Sequence, residues 1–156
     1  MTSSVKVGAP DWQKRHVEAY LRTDGDDGHY LDFSPLGGNP RTPTLLIRTI
    51  GRRSGEARLT PLIYGRHGQE VVVIASRGGA PEHPAWYLNL REAPAASFQI
   101  ADKTYRGPWR EATGDERARI WEMMAELNPL YRGYEGVTAR EIPVVVFDPR
   151  EELQAP

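Results

Sequence analysis

The chain contains no cysteine, which excludes disulfides, thiolate metal sites, iron–sulfur clusters and a cysteine nucleophile together. That usage fits a reducing compartment. Lysine is scarce: Lys6, Lys14 and Lys103 are three among 20 lysines and arginines. Neither sign of charge dominates, because 20 basic and 21 acidic side chains leave a formal net charge of −1. Such a chain has no broad basic field, and no nucleic-acid partner is expected. No apolar run approaches the roughly 20 residues that a membrane span needs. Residues 1–10 lack the apolar core of a secretory signal, so a cytoplasmic location without a transmembrane segment is expected. His16, His29, His67 and His83 follow no metal-ligand spacing, and no metal is expected. The acidic stretch from Asp24 to Asp32 does not follow the order of a calcium loop. Neither Ser54 nor Ser76 has the flanking glycines of a nucleophile elbow, and no phosphate-binding Walker sequence occurs.

What remains is a chain of 156 residues, enough for one domain with a self-sufficient core. Residues 1–10 are expected to be disordered, residues 11–149 to form a single domain, and residues 150–156 to be a polar tail. Apolar residues at helical spacing from Asp11 to Arg22 predict an amphipathic helix with Lys14, Arg15, Glu18 and Arg22 on its wet side. Tyr30 to Phe33 reads as a short strand, and the proline- and glycine-rich stretch after it as a loop. The middle is β-rich. Thr44 to Ile50, Ala57 to Tyr64 and Glu70 to Ala75 are dense in β-branched residues and separated by glycine turns, which predicts an antiparallel meander. Pro84 opens a short helix over Ala85 to Arg91. Ser97 to Ile100 and Thr104 to Ala112 read as a hairpin, Asp115 to Leu127 as a helix ended by Pro129, and Ile142 to Phe147 as a last strand. Six or seven strands without strand–helix–strand alternation exclude a Rossmann fold and predict a mainly β, antiparallel small barrel with peripheral helices.

Two stretches have the composition of an anion site. In the turn Gly51-Arg52-Arg53-Ser54-Gly55, glycines allow close backbone approach. Arg52, Arg53 and Arg58 supply forks that match phosphate oxygens, and Ser54 a hydroxyl donor. A solvated basic hairpin has the same composition. The second stretch, Ser76 to Tyr87, joins a glycine-rich loop with Arg77, Gly78 and Gly79 to a helix start at Pro84. Trp86 and Tyr87 offer flat surface to a ring system, or pack in a core. Tyr131 and Tyr134, after the late helix, either line a pocket with hydroxyl donors or seal a core edge.

Three runs carry a family resemblance: Thr44 to Gly55 with Arg58, Pro61 and Leu62; Val72 to Ala80 followed by His83-Pro84-Ala85-Trp86-Tyr87-Leu88-Asn89-Leu90; and Ile142 to Val146. With the early Gly28-His29-Tyr30-Leu31-Asp32 and Leu36-Gly37-Gly38, they resemble the deazaflavin-dependent nitroreductases over about residues 12–149. These are the A-type F420H2-dependent oxidoreductases. The resemblance implies a split β-barrel like that of flavin-binding, pyridoxamine-phosphate-oxidase-like proteins, and coenzyme F420 as cofactor. It implies that Arg52, Arg53, Ser54, Gly55 and Arg58 hold the phosphate and acidic tail. Ser76, Arg77, Gly78 and Gly79 would line the deazaflavin, and Pro84, Trp86, Tyr87 and Asn89 would complete the pocket. Ile63, Asn128, Tyr131 and Tyr134 fall on the substrate side. Arg53 and Arg77 stand where relatives often carry lysine, Asn128 where an aromatic residue is common, and Ile63 where some nitro-reducing members are aromatic.

The implied activity is hydride transfer from reduced deazaflavin to a small electron-poor acceptor: a quinone, an activated enone or a nitroaromatic. Ser76, Tyr131, Tyr134 or solvent would supply the proton. Two rivals stand beside it, an FMN-dependent oxidoreductase on the same barrel and a non-catalytic F420 carrier or sensor. A homodimer and a peripheral membrane contact through the first helix complete the expectations.

Overall fold

The computed structural model describes residues 3–134 and 140–153. The outer ends of the expected terminal segments, residues 1–2 and 154–156, lie outside them. The described chain runs α1 (Trp12–Arg22), β1 (Tyr30–Leu31), β2 (Thr42–Ile50), β3 (Ala57–His67), β4 (Glu70–Ile74), α2 (Ala85–Leu90), β5 (Ala96–Ile100), β6 (Lys103–Gly107), β7 (Trp109–Glu111), α3 (Gly114–Leu127), α4 (Tyr131–Tyr134), β8 (Val144–Phe147) and β9 (Glu151–Leu153). Single 3-10 turns lie at Ser34–Leu36 and Arg77–Gly79.

All strand pairs are antiparallel, in the order β7-β8-β4-β3-β2-β5-β6-β9, with β1 added beside β2. The long strand β3 makes this sheet curl. Its first part pairs with β2, from Ala57 opposite Ile50 to Ile63 opposite Thr44. From Tyr64 onward it pairs with β4. The result is a curled half-barrel whose central strands are buried on both faces. Val71 and Val73 point into the barrel interior with Leu45, Ile47, Phe98 and Phe147. Val72 and Ile74, alternating with them, pack against Ile120, Trp121 and Met124 of α3. Two-sided burial explains why β4 and β8 read as unbroken apolar runs.

Four expectations change. The stretch Thr104 to Ala112 is not one strand. It divides at Pro108 into β6, paired with β5 and β9, and β7, paired with β8. Pro108 has no N–H for a ladder, and a Cβ at Gly107 would stand 1.7 Å from Asp148 O. Only glycine allows the two backbones to cross there. The polar tail contributes a strand, β9, in register with Thr104 to Arg106, so the described residues hold nine strands where six or seven were expected. Residues 3–10, expected to be disordered, form no helix or strand but are tied down. Val5 and Val7 are buried, and Ser3 Oγ and the Ser4 N–H donate to Asp27 Oδ1 at 2.6 and 3.0 Å. On α1 the buried face is His16, Ala19 and Tyr20, whereas Leu21 is 45% exposed. Tyr20 sets that rotation: its hydroxyl donates to Thr44 O at 3.0 Å and accepts the Ala101 N–H at 2.8 Å.

Candidate active site

The arginine turn connects β2 to β3, and its shape begins at Gly51. A Cβ there would lie 2.5 Å from Ser54 Oγ and 3.1 Å from Arg58 Nε, so the loop folds directly over a bare Cα. Gly51 N–H donates to Glu56 O at 2.8 Å and closes the turn. Residues 52–59 are all exposed. Arg53 and Arg58 form no ion pair among the described residues. Arg52 is anchored instead. Asn89 Oδ1 accepts both the Arg52 N–H at 3.2 Å and its Nη1 at 3.1 Å. Asn89 Nδ2 in turn donates to Thr49 Oγ1 at 3.4 Å. Asn89 is buried on α2, so one amide joins the arginine turn to the helix that follows the glycine loop.

The glycine loop leaves β4 at Ala75. Arg77 adopts φ +47, a left-handed conformation disfavoured for a residue with a Cβ, and its guanidinium pairs with Glu82 at 2.7 Å on the surface. Pro84 precedes α2 at φ −61, preset for a helix start.

A cavity of about 320 Å³ opens between this loop, β3, α1 and the segment after α3. It gathers Ser76, Arg77, Pro84 and Trp86 from the cofactor set, and all of Ile63, Asn128, Tyr131 and Tyr134 from the substrate set. Arg52, Arg53, Ser54, Gly55, Arg58, Gly79, Tyr87 and Asn89 do not line it. Arg58 lies two residues before Thr60, which does, a separation of about 7 Å along a strand. Tyr87 turns into the barrel core, with its hydroxyl donating to Glu111 Oε1. Burial first, then that carboxylate, push its pKa up to about 12. A larger cavity of about 1050 Å³ lies beside the N-terminal segment and carries Asp24, Asp26, Asp32 and Asp102. It contains none of the arginine or glycine-loop residues.

The walls hold hydroxyls that keep their protons. Tyr131 is buried and packs edge-on against Tyr134 at 5.8 Å. Burial pushes its pKa well up, while the hydrogen bond with Asn128 opposes that shift. Burial raises Tyr134 as well. Asn128 caps α3, with its N–H donating to Met124 O at 2.8 Å, and is itself buried. These residues thus both seal the outer core and line the cavity.

His16 and Arg140 carry no sequence signal of a role here. His16 is 1% exposed, and it lines the cavity with Trp12 and Gln13 of α1. Its Nε2 lies 2.9 Å from Gly28 O; a carbonyl only accepts, so Nε2 carries the proton. Its Nδ1 is buried without a hydrogen-bond partner among the described residues. Burial lowers its pKa, against the Gly28 hydrogen bond and Asp27. Arg140 reaches back across the chain to the glycine loop, about sixty residues earlier in sequence.

Comparison with known proteins adds a second line of observation. A family model described as F420H(2)-dependent quinone reductase matches residues 12–149. A Mycobacterium tuberculosis protein named F420H(2)-dependent quinone reductase is 32% identical over 151 residues, covering 89% of this chain and 97% of its own. A solved F420-H2 dependent reductase is 37% identical with a TM-score of 0.60, covering 67% of this chain and 92% of that one. A structure described as a domain-swapped dimer is 34% identical with a TM-score of 0.63, covering 87% and 96%. At 11% identity and a TM-score of 0.50, a Listeria innocua chain described as a pyridoxamine 5'-phosphate oxidase shares the fold alone, covering 70% and 86%.

Proposed function

Because the chain belongs to the F420H(2)-dependent quinone reductase family, we propose that the cavity beside Ser76 and Arg77 is where its reductase chemistry takes place. The chain is an F420H2-dependent oxidoreductase of this family. One observation carries the assignment of the site: a single cavity joins the glycine-loop residues Ser76, Arg77, Pro84 and Trp86 to Ile63, Asn128, Tyr131 and Tyr134.

The residues present suit an anionic coenzyme with a flat ring. Arg53 and Arg58 extend from an exposed turn folded over a bare Cα at Gly51, a donor set matched to phosphate and carboxylate oxygens. Arg52 holds the turn to α2 through Asn89. Trp86 and Pro84 give the neighbouring cavity apolar walls, as a conjugated ring requires. When bound, the reduced coenzyme supplies a hydride.

The chain's part is to bind, orient and exclude water. Arg52, Arg53, Arg58 and Arg77 bind the anionic portion, and Ser76, Pro84 and Trp86 fix the ring plane. Ile63 and Asn128 shape the space left for an electron-poor acceptor, a quinone first among them. Holding the reactants in one orientation is where most of the rate gain arises. Tyr131 and Tyr134 present protonated hydroxyls, which stabilise negative charge developing on an acceptor oxygen. A homodimer belongs to the same reading, supported by the similar structure described as a domain-swapped dimer.

The test is to mix the chain with reduced deazaflavin and menadione and follow the coenzyme's visible absorbance. Oxidation that depends on the protein supports the reading. Tight binding of FMN with no binding of deazaflavin would refute it, and binding without turnover across a panel of quinones, enones and nitroaromatics would make the chain a carrier.

A further inference from the structure

The guanidinium of Arg140 holds the glycine loop by its backbone. Nε donates to Ala80 O at 2.8 Å, and Nη2 to Ser76 O at 2.7 Å and Ala75 O at 3.2 Å. Nη1 meets His83 Nδ1 at 3.1 Å. Three carbonyls and one ring nitrogen, spread over Ala75 to His83, therefore converge on one planar fork. Between the held carbonyls of Ser76 and Ala80 lies Arg77, at φ +47. A side-chain-bearing residue stays in that region only where its surroundings over-determine it. The local turn bonds, Gly79 N–H to Ser76 O at 2.9 Å and Ala80 N–H to Arg77 O at 3.1 Å, close a single 3-10 turn, a poor lock by itself. Arg140 supplies the constraint from outside the loop.

We propose that Arg140 is a positioning residue for the coenzyme site, clipping the Ser76–Ala80 loop into the shape that receives the deazaflavin. The inference rests on the reading of that loop as a coenzyme-lining surface. It also assigns a role to His83. To accept from Nη1, its Nδ1 must carry a lone pair, and a protonated ring would turn an N–H toward a cation. The charged groups facing His83 are Arg140, Arg91 and Glu111; the Tyr87 ring packs beside it at 4.9 Å, and Arg77 faces Arg140. Burial, then Arg140 and Arg91, hold the His83 pKa below its ordinary value, with Glu111 opposing. The clip is therefore intact at neutral pH and loses its His83 contact in acid. Lysine cannot replace the fork, since an ammonium is a point charge without the planar spread of donors.

Two measurements test this. The first is hydrogen exchange in the ligand-free chain, comparing Arg140→Gln with the unmodified protein. Faster exchange confined to residues 75–80, with β4 and β8 unchanged, is expected. The second is titration with oxidised deazaflavin by fluorescence. Arg140→Gln should weaken binding about tenfold at pH 7.5, with Arg140→Lys between it and the unmodified chain. His83→Asn keeps a neutral acceptor that does not titrate, so it should bind normally at pH 7.5 and lose part of the weakening below about pH 6. Should Arg140→Gln fail to fold, Arg140→Lys and His83→Asn carry the test. Unchanged affinity in the arginine variants, or unchanged loop exchange, overturns the role. An acid limb identical in His83→Asn overturns the His83 part. Failure of the unmodified chain to bind deazaflavin would instead overturn the coenzyme reading, and this role with it.

Discussion

Asn89 separates two effects that a single arginine substitution would merge. Its Oδ1 accepts the Arg52 N–H and Nη1, and its Nδ2 donates to Thr49 Oγ1. Asn89→Ala removes all of these. Thr49 is buried, so its hydroxyl loses a partner that water does not easily replace, whereas exposed Arg52 regains water. One weak buried contact, one main-chain contact and one charge-assisted contact at the surface come to about 1–3 kcal/mol, or a Tm lowered by roughly 2–12 °C for a chain of this size. Asn89→Asp behaves differently. The carboxylate still accepts from Arg52, and the Thr49 hydroxyl turns to donate to it, which offsets part of the cost of burying its charge, so Asn89→Asp should unfold later than Asn89→Ala. Its added negative charge, however, sits behind the turn assigned to the coenzyme's anionic portion. For any two unit charges about 8 Å apart in an effective dielectric of about 20–80, repulsion is about 0.5–2 kcal/mol, and a loss of affinity of about 2- to 30-fold is expected on that scale. Thermal unfolding and fluorescence titration with deazaflavin read the two quantities. The reasoning is refuted if Asn89→Asp binds the coenzyme as tightly as the unmodified chain, or unfolds as early as Asn89→Ala.

The histidines set an acid limit. Burial is the largest cause lowering the pKa of His16, His29 and His83 below the ordinary 6.5, so the unfolded chain binds more protons in that window. Stability should be full above about pH 6.5 and fall as the pH drops through the lowered values, and a urea midpoint that rises on acidification from 6.5 would contradict this. The exposed Arg77–Glu82 pair competes with an anionic ligand for Arg77. Glu82→Gln should tighten deazaflavin binding by no more than about fivefold, since such surface pairs are worth about 0–1 kcal/mol; weaker binding would sink the idea. Ile63 lines the cavity, so Ile63→Val should change the ratio of kcat/KM for menadione against a smaller benzoquinone by about tenfold. Its deazaflavin affinity should stay within about twofold, and a change in affinity alone would move Ile63 to the coenzyme side.

The meander β2–β4 was legible because its signal is local: β-branched runs with glycine turns between them. The glycine loop and arginine turn were legible by composition for the same reason. What stayed hidden depends on distant backbone. Pro108 marks a break locally, but the reason position 107 must be glycine is Asp148 O, 41 positions away in the chain. β9 exists because β6 has a free edge for a polar tail to pair with. The N-terminal segment is held by Asp27, whose pull on Ser3 and Ser4 spans more than twenty residues. The Arg52–Asn89 anchor is likewise 37 residues apart. His16 carries no signal of burial because histidine counts as polar on a helical wheel, although a ring with one satisfied nitrogen can be buried. Arg140 had no signal at all, for its partners are main-chain carbonyls, which every residue possesses.

The cavity's two tyrosines and its histidine share one property that constrains how a proton reaches the product in the proposed reaction. Tyr131 and Tyr134 have pKa values raised by burial, and that of His16 is lowered by burial. Around neutrality the phenols therefore hold their protons and the imidazole stays neutral. General acids work best when their pKa lies near the working pH, and burial has moved all three away from it. A phenol made less acidic is a poor proton donor, but it remains a good hydrogen-bond donor in a site that excludes water. In the proposed reaction the tyrosines would act on charge, stabilising an acceptor oxygen that becomes anionic, and the proton would come from solvent. Hydride transfer suits such a wall, because the acceptor's electron deficiency drives the step and the protein has only to hold the charge that results.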